Sequence, residues 1–225
     1  MTVELVVTDD PAGAVADELA RAAAAGGHVA LSGGSTPQPA YELAAMHAPD
    51  WAHVELWWAD DRCVPPSDPR SNYRLVRESL LDRLSRPPQL HRIRGELPPE
   101  EAADAYDAAV RGVRLDLALL GLGADGHTAS LFPNSPALAE TERAAVATEP
   151  GLEPLVPRVT LTIPTLSAAR LVLFLVTGED KAEAAARAFG GEPNPATPAS
   201  LVRSAEGRTV AILDRAAAAG LSPSG

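Results

Sequence analysis

Several features that mark well-known protein classes are missing or scarce in this chain of 225 residues. It has one cysteine, Cys63, which excludes an internal disulfide framework and a cysteine-rich zinc site. The chain has 19 basic and 30 acidic residues, and its formal net charge of −11 argues against nucleic acid and anionic membranes as partners. No apolar run approaches the roughly 18 residues of a membrane span, and the start of the chain lacks the pattern of a secretory signal. We therefore expect a cytoplasmic protein.

Short apolar runs alternate with alanine-rich stretches along the chain. The candidate strands are residues 3–7, 28–32, 54–58, 116–121, 159–163, 171–176 and 209–213. The candidate helices are residues 11–25, 37–46, 72–84, 99–111, 179–189 and a short one at 214–219. This alternation predicts an α/β protein with a mostly parallel sheet and helices on both faces. No linker or internal repeat interrupts it, so residues 1–225 are predicted to form a single domain.

The segment 116–132 holds the most informative chemistry. A predicted strand enters a glycine-rich turn that contains Asp125 and His127, followed by a predicted helix start. Turns at the carboxyl edge of an α/β sheet are where such folds bind ligands. Histidine suits proton transfer because its unperturbed pKa lies near neutrality. His127 is therefore a candidate base and Asp125 a candidate for orienting it. The plainer alternative, a histidine that only caps a turn, is disfavoured by the acid beside it.

The same segment also matches the G-x-G-x-x-G pattern of dinucleotide-binding turns, at Gly121, Gly123 and Gly126. That pattern usually opens the first strand–helix unit, whereas here it lies in mid-chain. The acid expected about 20 residues further on should end a second strand, but residues 137–145 are predicted to be helical. We therefore expect no NAD(P) cofactor.

A second glycine-rich turn follows the second predicted strand and is a candidate anion site. Gly33 and Gly34 precede a helix N-terminus, where free N–H groups and the helix dipole favour an anion. Ser35 or Thr36 is the expected N-cap, with Pro37 in the first helical position. The Gly-Lys-Ser/Thr ending of a P-loop is absent, so no nucleotide is inferred. An ordinary capped turn stays open as the alternative.

Charged residues flank three other predicted elements. Asp60, Asp61 and Arg62 follow a strand, at the same sheet edge as the two glycine-rich turns, which makes Arg62 a candidate phosphate ligand. Arg158 begins a strand, and Lys181 lies at the start of a helix. Arginine offers a fork that matches phosphate oxygens, and lysine a compact charge. Each cation taken alone is more often a surface residue, and the acid pair with its arginine is more often a solvated cluster.

Taken in order, these segments resemble the 6-phosphogluconolactonase family over nearly the whole chain. Its most specific mark is the segment Gly121-Leu-Gly-Ala-Asp-Gly-His-Thr-Ala-Ser-Leu-Phe-Pro133. The other matching segments are Ser32-Gly-Gly-Ser-Thr-Pro37, Trp58-Ala-Asp-Asp-Arg-Cys-Val64 with Ser71-Asn-Tyr73, Pro157-Arg-Val-Thr-Leu-Thr162 and Thr177-Gly-Glu-Asp-Lys-Ala182.

The resemblance implies a three-layer α/β/α sandwich with a Rossmann-like sheet, shared with glucosamine-6-phosphate deaminases and ribose-5-phosphate isomerases. It also implies hydrolysis of 6-phosphoglucono-δ-lactone in the oxidative pentose phosphate pathway, without metal or cofactor, and His127 as the catalytic base. The sugar-phosphate contacts that it implies are Gly33, Gly34, Ser35, Arg62, Arg158 and Lys181. Thr36 and Asp60 join them as candidates by position. The family more often has Asp-Glu-Arg where this chain has Asp60-Asp61-Arg62. The change keeps the charge but shortens the side chain, so the resemblance leaves a direct substrate role for Asp61 open.

Two other functions stay open. One is an isomerase or deaminase of an amino sugar phosphate. The deaminases that resemble this fold use a carboxylate five residues beyond the matching histidine, in a His-Ile-Ala-Phe-Asn-Glu-like segment, where this chain has Phe132. The other is a catalytically silent sugar-phosphate sensor, which would need no positioned base and is disfavoured by Asp125 and His127.

We expect a monomer or small homo-oligomer that binds a small sugar phosphate lactone.

Overall fold

A seven-stranded parallel sheet lies at the centre of the fold, which the computed structural model describes for residues 2–151 and 153–221. The strands of the protein are β1 (Glu4–Val7), β2 (Gly27–Leu31), β3 (Val54–Trp58), β4 (Asp60–Arg62), β5 (Gln89–His91), β6 (Leu117–Leu120), β7 (Ala145–Thr148), β8 (Arg158–Leu161), β9 (Leu171–Val176) and β10 (Arg208–Leu213). Seven of them pair in the order β1-β10-β9-β6-β2-β3-β5, and every neighbouring pair is parallel. The inner strands β6 and β9 are apolar along their whole length and almost entirely buried, as strands covered on both faces should be.

Helices cover this sheet and complete the predicted three-layer α/β/α sandwich. They are α1 (Pro11–Ala25), α2 (Gln38–His47), α3 (Asn72–Ser79), α4 (Pro99–Val110), α5 (Ile163–Ser167) and α6 (Ala182–Ala185), which continues as a π-helical turn over Ala186–Gly190. Short 3-10 turns lie at Leu81–Arg83, Pro136–Ala139, Glu179–Lys181 and Pro198–Leu201. Among the described residues, none of the helices has both the length and the apolar character that crossing a membrane requires.

A small antiparallel sheet of three strands, in the order β4-β8-β7, adjoins the main one. β4 follows β3 after the single residue Ala59, whose carbonyl accepts a hydrogen bond from the Leu161 backbone N–H at 2.8 Å. The small sheet is therefore attached at the carboxyl end of β3. Its register places Arg62 of β4 directly opposite Arg158 of β8.

Three local predictions are wrong. Residues 215–219 form turns instead of a C-terminal helix, since so short a segment has little helical stability of its own. The helix expected after His127 is a series of turns, because Ala129 (φ 48°) adopts a left-handed backbone conformation that a right-handed helix cannot contain. Residues 137–145 hold a 3-10 turn and the start of β7 rather than a helix.

Three strands were not predicted. β4, β5 and β7 are only three or four residues long, too short for an alternating apolar pattern to stand out. The predicted strand at 159–163 exists as β8, but it belongs to the small antiparallel sheet.

Candidate active site

Glycine-rich turns and residues of the small sheet meet at the carboxyl edge of the main sheet and enclose a cleft of about 240 Å³. The predicted substrate-contact residues all line it: Gly33, Gly34, Ser35, Thr36, Asp60, Arg62, Arg158 and Lys181. His127 lines it as well, with Asp125 behind the histidine. Segments separated by up to 150 positions in the sequence are thus gathered around one small volume.

His127 and Asp125 form a hydrogen-bonded pair. The imidazole Nδ1 lies 2.5 Å from the Asp125 Oδ1, which also accepts the His127 backbone N–H at 3.1 Å. Burial opposes ionisation of this carboxyl group, but the hydrogen bonds and charge of His127 outweigh it and lower the pKa of Asp125. An ionised acid at Nδ1 favours the tautomer with its proton there, which leaves a lone pair on Nε2.

The turn that holds this pair needs glycine at one position. A Cβ atom on Gly123 would overlap both the His127 imidazole and the Asp125 carboxylate. The Gly123 backbone N–H donates to the His127 carbonyl at 2.9 Å, which closes the turn over the pair. The Thr128 hydroxyl donates a hydrogen bond to the Gly121 carbonyl at 2.8 Å, which stabilises the turn further. Gly123 therefore allows the backbone to pack closely against the histidine and its acid.

The Gly33–Gly34 turn lines the cleft. Gly34 has φ 99°, a conformation that favours glycine, and a Cβ on Gly33 would overlap the side-chain amide of Asn72. Across the described parts of the chain, the N–H groups of Gly33, Gly34 and Ser35 donate to no other protein group. Three unpaired N–H groups next to a helix start are suited to an anion.

The predicted N-cap of α2 is wrong. Pro37 is the N-cap residue, and no side chain caps the helix. Ser35 and Thr36 lie in the turn before it. Pro37 already has helical geometry (φ −81°, ψ −12°), so the chain enters the helix directly from a turn, without the extended residue that a serine or threonine cap requires.

Two arginines face each other across the small sheet. Arg62 and Arg158 are directly opposed in the β4–β8 register, an arrangement that is destabilising for like charges. Arg158 is only 4% exposed, and burial together with the charge of Arg62 lowers its pKa. The Arg158 guanidinium also lies over the Phe132 ring, 5.2 Å from its centroid. An anion placed between the two guanidinium groups would relieve their repulsion. Lys181 adds a third cation to the cleft and pairs with Asp180 at 2.9 Å.

Asp60 and Asp61 have different surroundings. Asp61 is a buried residue of β4 whose carboxylate accepts the backbone N–H groups of Asn72 at 2.6 Å and Tyr73 at 3.0 Å, at the start of α3. Burial raises its pKa to about 6, although these hydrogen bonds act in the opposite direction. Asp61 does not line the cleft. Asp60 does, and it accepts a hydrogen bond from the Ser130 hydroxyl.

Asn72 is the main residue that sequence reasoning missed. It lines the cleft and is 2% exposed. The only signal for it was its place in the Ser71-Asn-Tyr73 segment, since nothing local marks it as close to the glycine-rich turns. In residues 2–151 and 153–221, no three His, Cys, Asp or Glu side chains form a group that could hold a metal ion.

The similarity of this chain to known proteins includes all the segments that line the cleft. Residues 6–211 match the family model described as glucosamine-6-phosphate isomerases/6-phosphogluconolactonase. The chain is 42% identical over 201 residues to the 6-phosphogluconolactonase of Homo sapiens, covering 84% of this chain and 78% of that protein. It is 38% identical over 209 residues to the 6-phosphogluconolactonase of Synechocystis, covering 88% and 85%. The crystal structure of the 6-phosphogluconolactonase from Thermotoga maritima matches with a TM-score of 0.83 at 31% identity, over 95% of this chain and 99% of that one.

Proposed function

Because the chain belongs to the 6-phosphogluconolactonase family, we propose that it hydrolyses 6-phospho-D-glucono-1,5-lactone to 6-phospho-D-gluconate. This reaction is the lactonase step of the oxidative pentose phosphate pathway. The observation that carries the proposal is the His127–Asp125 pair in the same cleft as the opposed guanidinium groups of Arg62 and Arg158. A base beside a cluster of cations suits a phosphorylated substrate with an electrophilic carbonyl carbon.

In this proposal His127 is a general base. Its Nε2 takes a proton from a water molecule as the water oxygen attacks C1 of the lactone. When the tetrahedral intermediate collapses, the bond between C1 and the ring oxygen breaks and the imidazolium returns the proton to that oxygen. Asp125 stays ionised, holds the Nδ1–H tautomer and stabilises the transient imidazolium. General base catalysis of this kind contributes about 10²- to 10⁴-fold in rate.

The cations of the cleft hold the phosphate in this proposal. Arg62 and Arg158 offer forked N–H donors, and Lys181 offers a compact charge. Their contribution is to place C1 near His127, since fixing a reacting group in position removes much of the entropic cost of the reaction. Backbone N–H groups of the glycine-rich turns would stabilise the oxyanion on C1, with roughly 3–4 kcal/mol for each good donor.

A coupled assay tests the proposal. Freshly generated lactone is mixed with the protein, and 6-phosphogluconate is measured through its dehydrogenase, with the spontaneous hydrolysis rate subtracted. We expect saturable acceleration that depends on protein concentration. A rate equal to the spontaneous one, from protein shown to be folded, would contradict the proposal.

A deaminase of glucosamine 6-phosphate is the alternative within the same fold. The position five residues beyond His127 is Phe132, which is 5% exposed and packs beside the imidazole with ring centroids 5.1 Å apart. This side chain can neither accept nor donate a proton. We expect no ammonia release from glucosamine 6-phosphate, and release at a rate comparable to lactone hydrolysis would favour the deaminase instead.

A further inference from the structure

The side-chain amide of Asn72 lies between the two charged residues at the ends of β4. Its Oδ1 accepts a hydrogen bond from Nη1 of Arg62. Its Nδ2 donates to the Asp60 backbone carbonyl at 2.8 Å and to the Asp60 Oδ1 at 3.2 Å. The amide thus turns an acceptor toward the cation and a donor toward the anion.

This position suits asparagine in particular. The reverse orientation of the amide would set its NH₂ group against the guanidinium and its oxygen against the carboxylate, so only one orientation satisfies both neighbours. An aspartate would still accept from Arg62, but its second oxygen would repel the Asp60 carboxylate. An apolar side chain would satisfy neither group.

Asn72 is itself held rigidly. Its backbone N–H donates to the Asp61 carboxylate at 2.6 Å, which fixes it at the start of α3. Its amide fills the space where a side chain on Gly33 would lie. Fixed on these two sides, the amide cannot follow Arg62 if the guanidinium moves.

Without this amide, Asp60 and Arg62 would be free to pair. Residues two apart in a strand point to the same face, and both of these residues line the cleft. In the part of the chain that the structure describes, they form no ion pair. Nη1 of Arg62 is instead engaged by Asn72 and by the Arg70 carbonyl at 3.1 Å. Nη2 donates to no acceptor among the described residues.

We propose that Asn72 is a positioning residue that separates Arg62 from Asp60 and so keeps the Arg62 guanidinium available to the substrate phosphate. It acts through Arg62 and does not touch the reacting atoms. The identity of the phosphate-bearing substrate rests on the proposed function, but the separation of the two charges does not.

Calorimetric titration with inorganic phosphate tests this role without catalysis. The proteins compared are the wild type, Asn72→Ala, Arg62→Ala and the double variant. We expect each single variant to raise the Kd for phosphate by about ten-fold. This is the loss of affinity expected when one charge-assisted hydrogen bond is removed. The double variant should bind within about two-fold of Arg62→Ala alone, because residues that act through one contact are not additive. Wild-type binding in Asn72→Ala, multiplied effects in the double variant, or no phosphate binding by the wild type would each overturn the proposal.

Two further variants separate positioning from folding. Asn72→Asp has nearly the same shape, yet it should weaken phosphate binding at least as much as Asn72→Ala, because its charge neutralises Arg62. Ser71→Ala is the matched control: Ser71 caps the same helix start but does not line the cleft. It should lower the Tm without changing the Kd for phosphate. Wild-type binding by Asn72→Asp, or equal weakening by Ser71→Ala, would show that the role is structural only.

The lactonase assay then connects this role to turnover. Asn72→Ala should raise KM by the same factor as the Kd for phosphate, with kcat within about three-fold of the wild type. If the wild type hydrolyses no lactone but the phosphate coupling holds, the proposed function fails and the role of Asn72 stands. If the wild type is active and the KM of Asn72→Ala is unchanged, the role of Asn72 fails alone.

Discussion

Replacing Gly123 by alanine tests whether the close packing around the His127–Asp125 pair matters for activity. The added Cβ would overlap the His127 imidazole and the Asp125 carboxylate together. Relief requires the pair or the turn to move by on the order of 1 Å, and a displacement of that size typically costs about 10²-fold in rate. We therefore expect kcat of Gly123→Ala to fall about 100-fold, with KM changed much less, because the proposed phosphate ligands lie on other segments of the chain.

Gly121→Ala is the matched control for this change. A Cβ at Gly121 would meet no atom within 4 Å, and its backbone is not in the left-handed region. Both glycines line the cleft, so the two variants add the same methyl group to the same turn. The fall in kcat should be at least ten-fold smaller for Gly121→Ala.

The coupled lactonase assay gives kcat and KM, and thermal unfolding reports stability. A Gly123→Ala protein with a kcat within three-fold of the wild type would refute the reasoning, because the imidazole would then tolerate displacement. Equal losses in Gly121→Ala and Gly123→Ala would refute it as well, since the effect would then come from the methyl group in the cleft.

Four other outcomes are expected. His127→Ala should fold normally and lose about 10²- to 10⁴-fold in kcat, and a variant that keeps more than about a tenth of the wild-type kcat would mean that the base is misassigned. Arg158→Ala and Lys181→Ala should each mainly raise KM by one to two powers of ten, because a lost charge-assisted hydrogen bond costs about 1.5–3 kcal/mol of binding free energy. Inorganic phosphate should compete with substrate, and unchanged kinetics in both variants would mean that the phosphate binds elsewhere. EDTA should leave activity intact, because the proposed mechanism assigns water activation to His127, and complete loss that a divalent ion restores would overturn that mechanism. Burial raises the pKa of the Cys63 thiol to about 11, which leaves less thiolate at pH 8 than in the unfolded chain. Alkylation by iodoacetamide should therefore be about ten-fold slower in the folded protein, since the greater nucleophilicity of a thiolate of higher pKa offsets part of the effect, and equal rates measured by mass spectrometry would contradict this.

The glycine-rich turns show why part of the site could be predicted from the sequence. A strand followed by closely spaced glycines, an acid and a histidine is a local sequence pattern. It predicts a tight turn at the end of that strand, which is also a local feature of the structure. The sequence therefore indicated that Asp125 and His127 lie at the sheet edge, but two residues of separation in a turn do not guarantee a contact. The hydrogen bond between them depends on the backbone of Gly123, which passes close enough to hold both side chains.

Asn72 shows where sequence reasoning stops. Its neighbours Asp60, Arg62 and Gly33 lie 10 to 39 positions away, and no spacing rule connects them. The error at Ser35 and Thr36 has a similar origin. Their residue types favour an N-cap, but Pro37 already has helical geometry and serves as the N-cap residue, so the helix starts without an extended serine or threonine cap.

The sequence by itself determined the layers of the fold, because strand and helix patterns depend on neighbours within a few residues. The apolar runs of β6 and β9 and the alanine-rich helices were enough to predict a parallel sheet covered on both faces, and that prediction is confirmed. Only the tertiary structure decided which charges face each other. The opposition of Arg62 and Arg158 arises from the pairing of β4 with β8, almost 100 residues apart. Strand register depends on the packing of the whole sheet, and short polar strands carry no local pattern that records it.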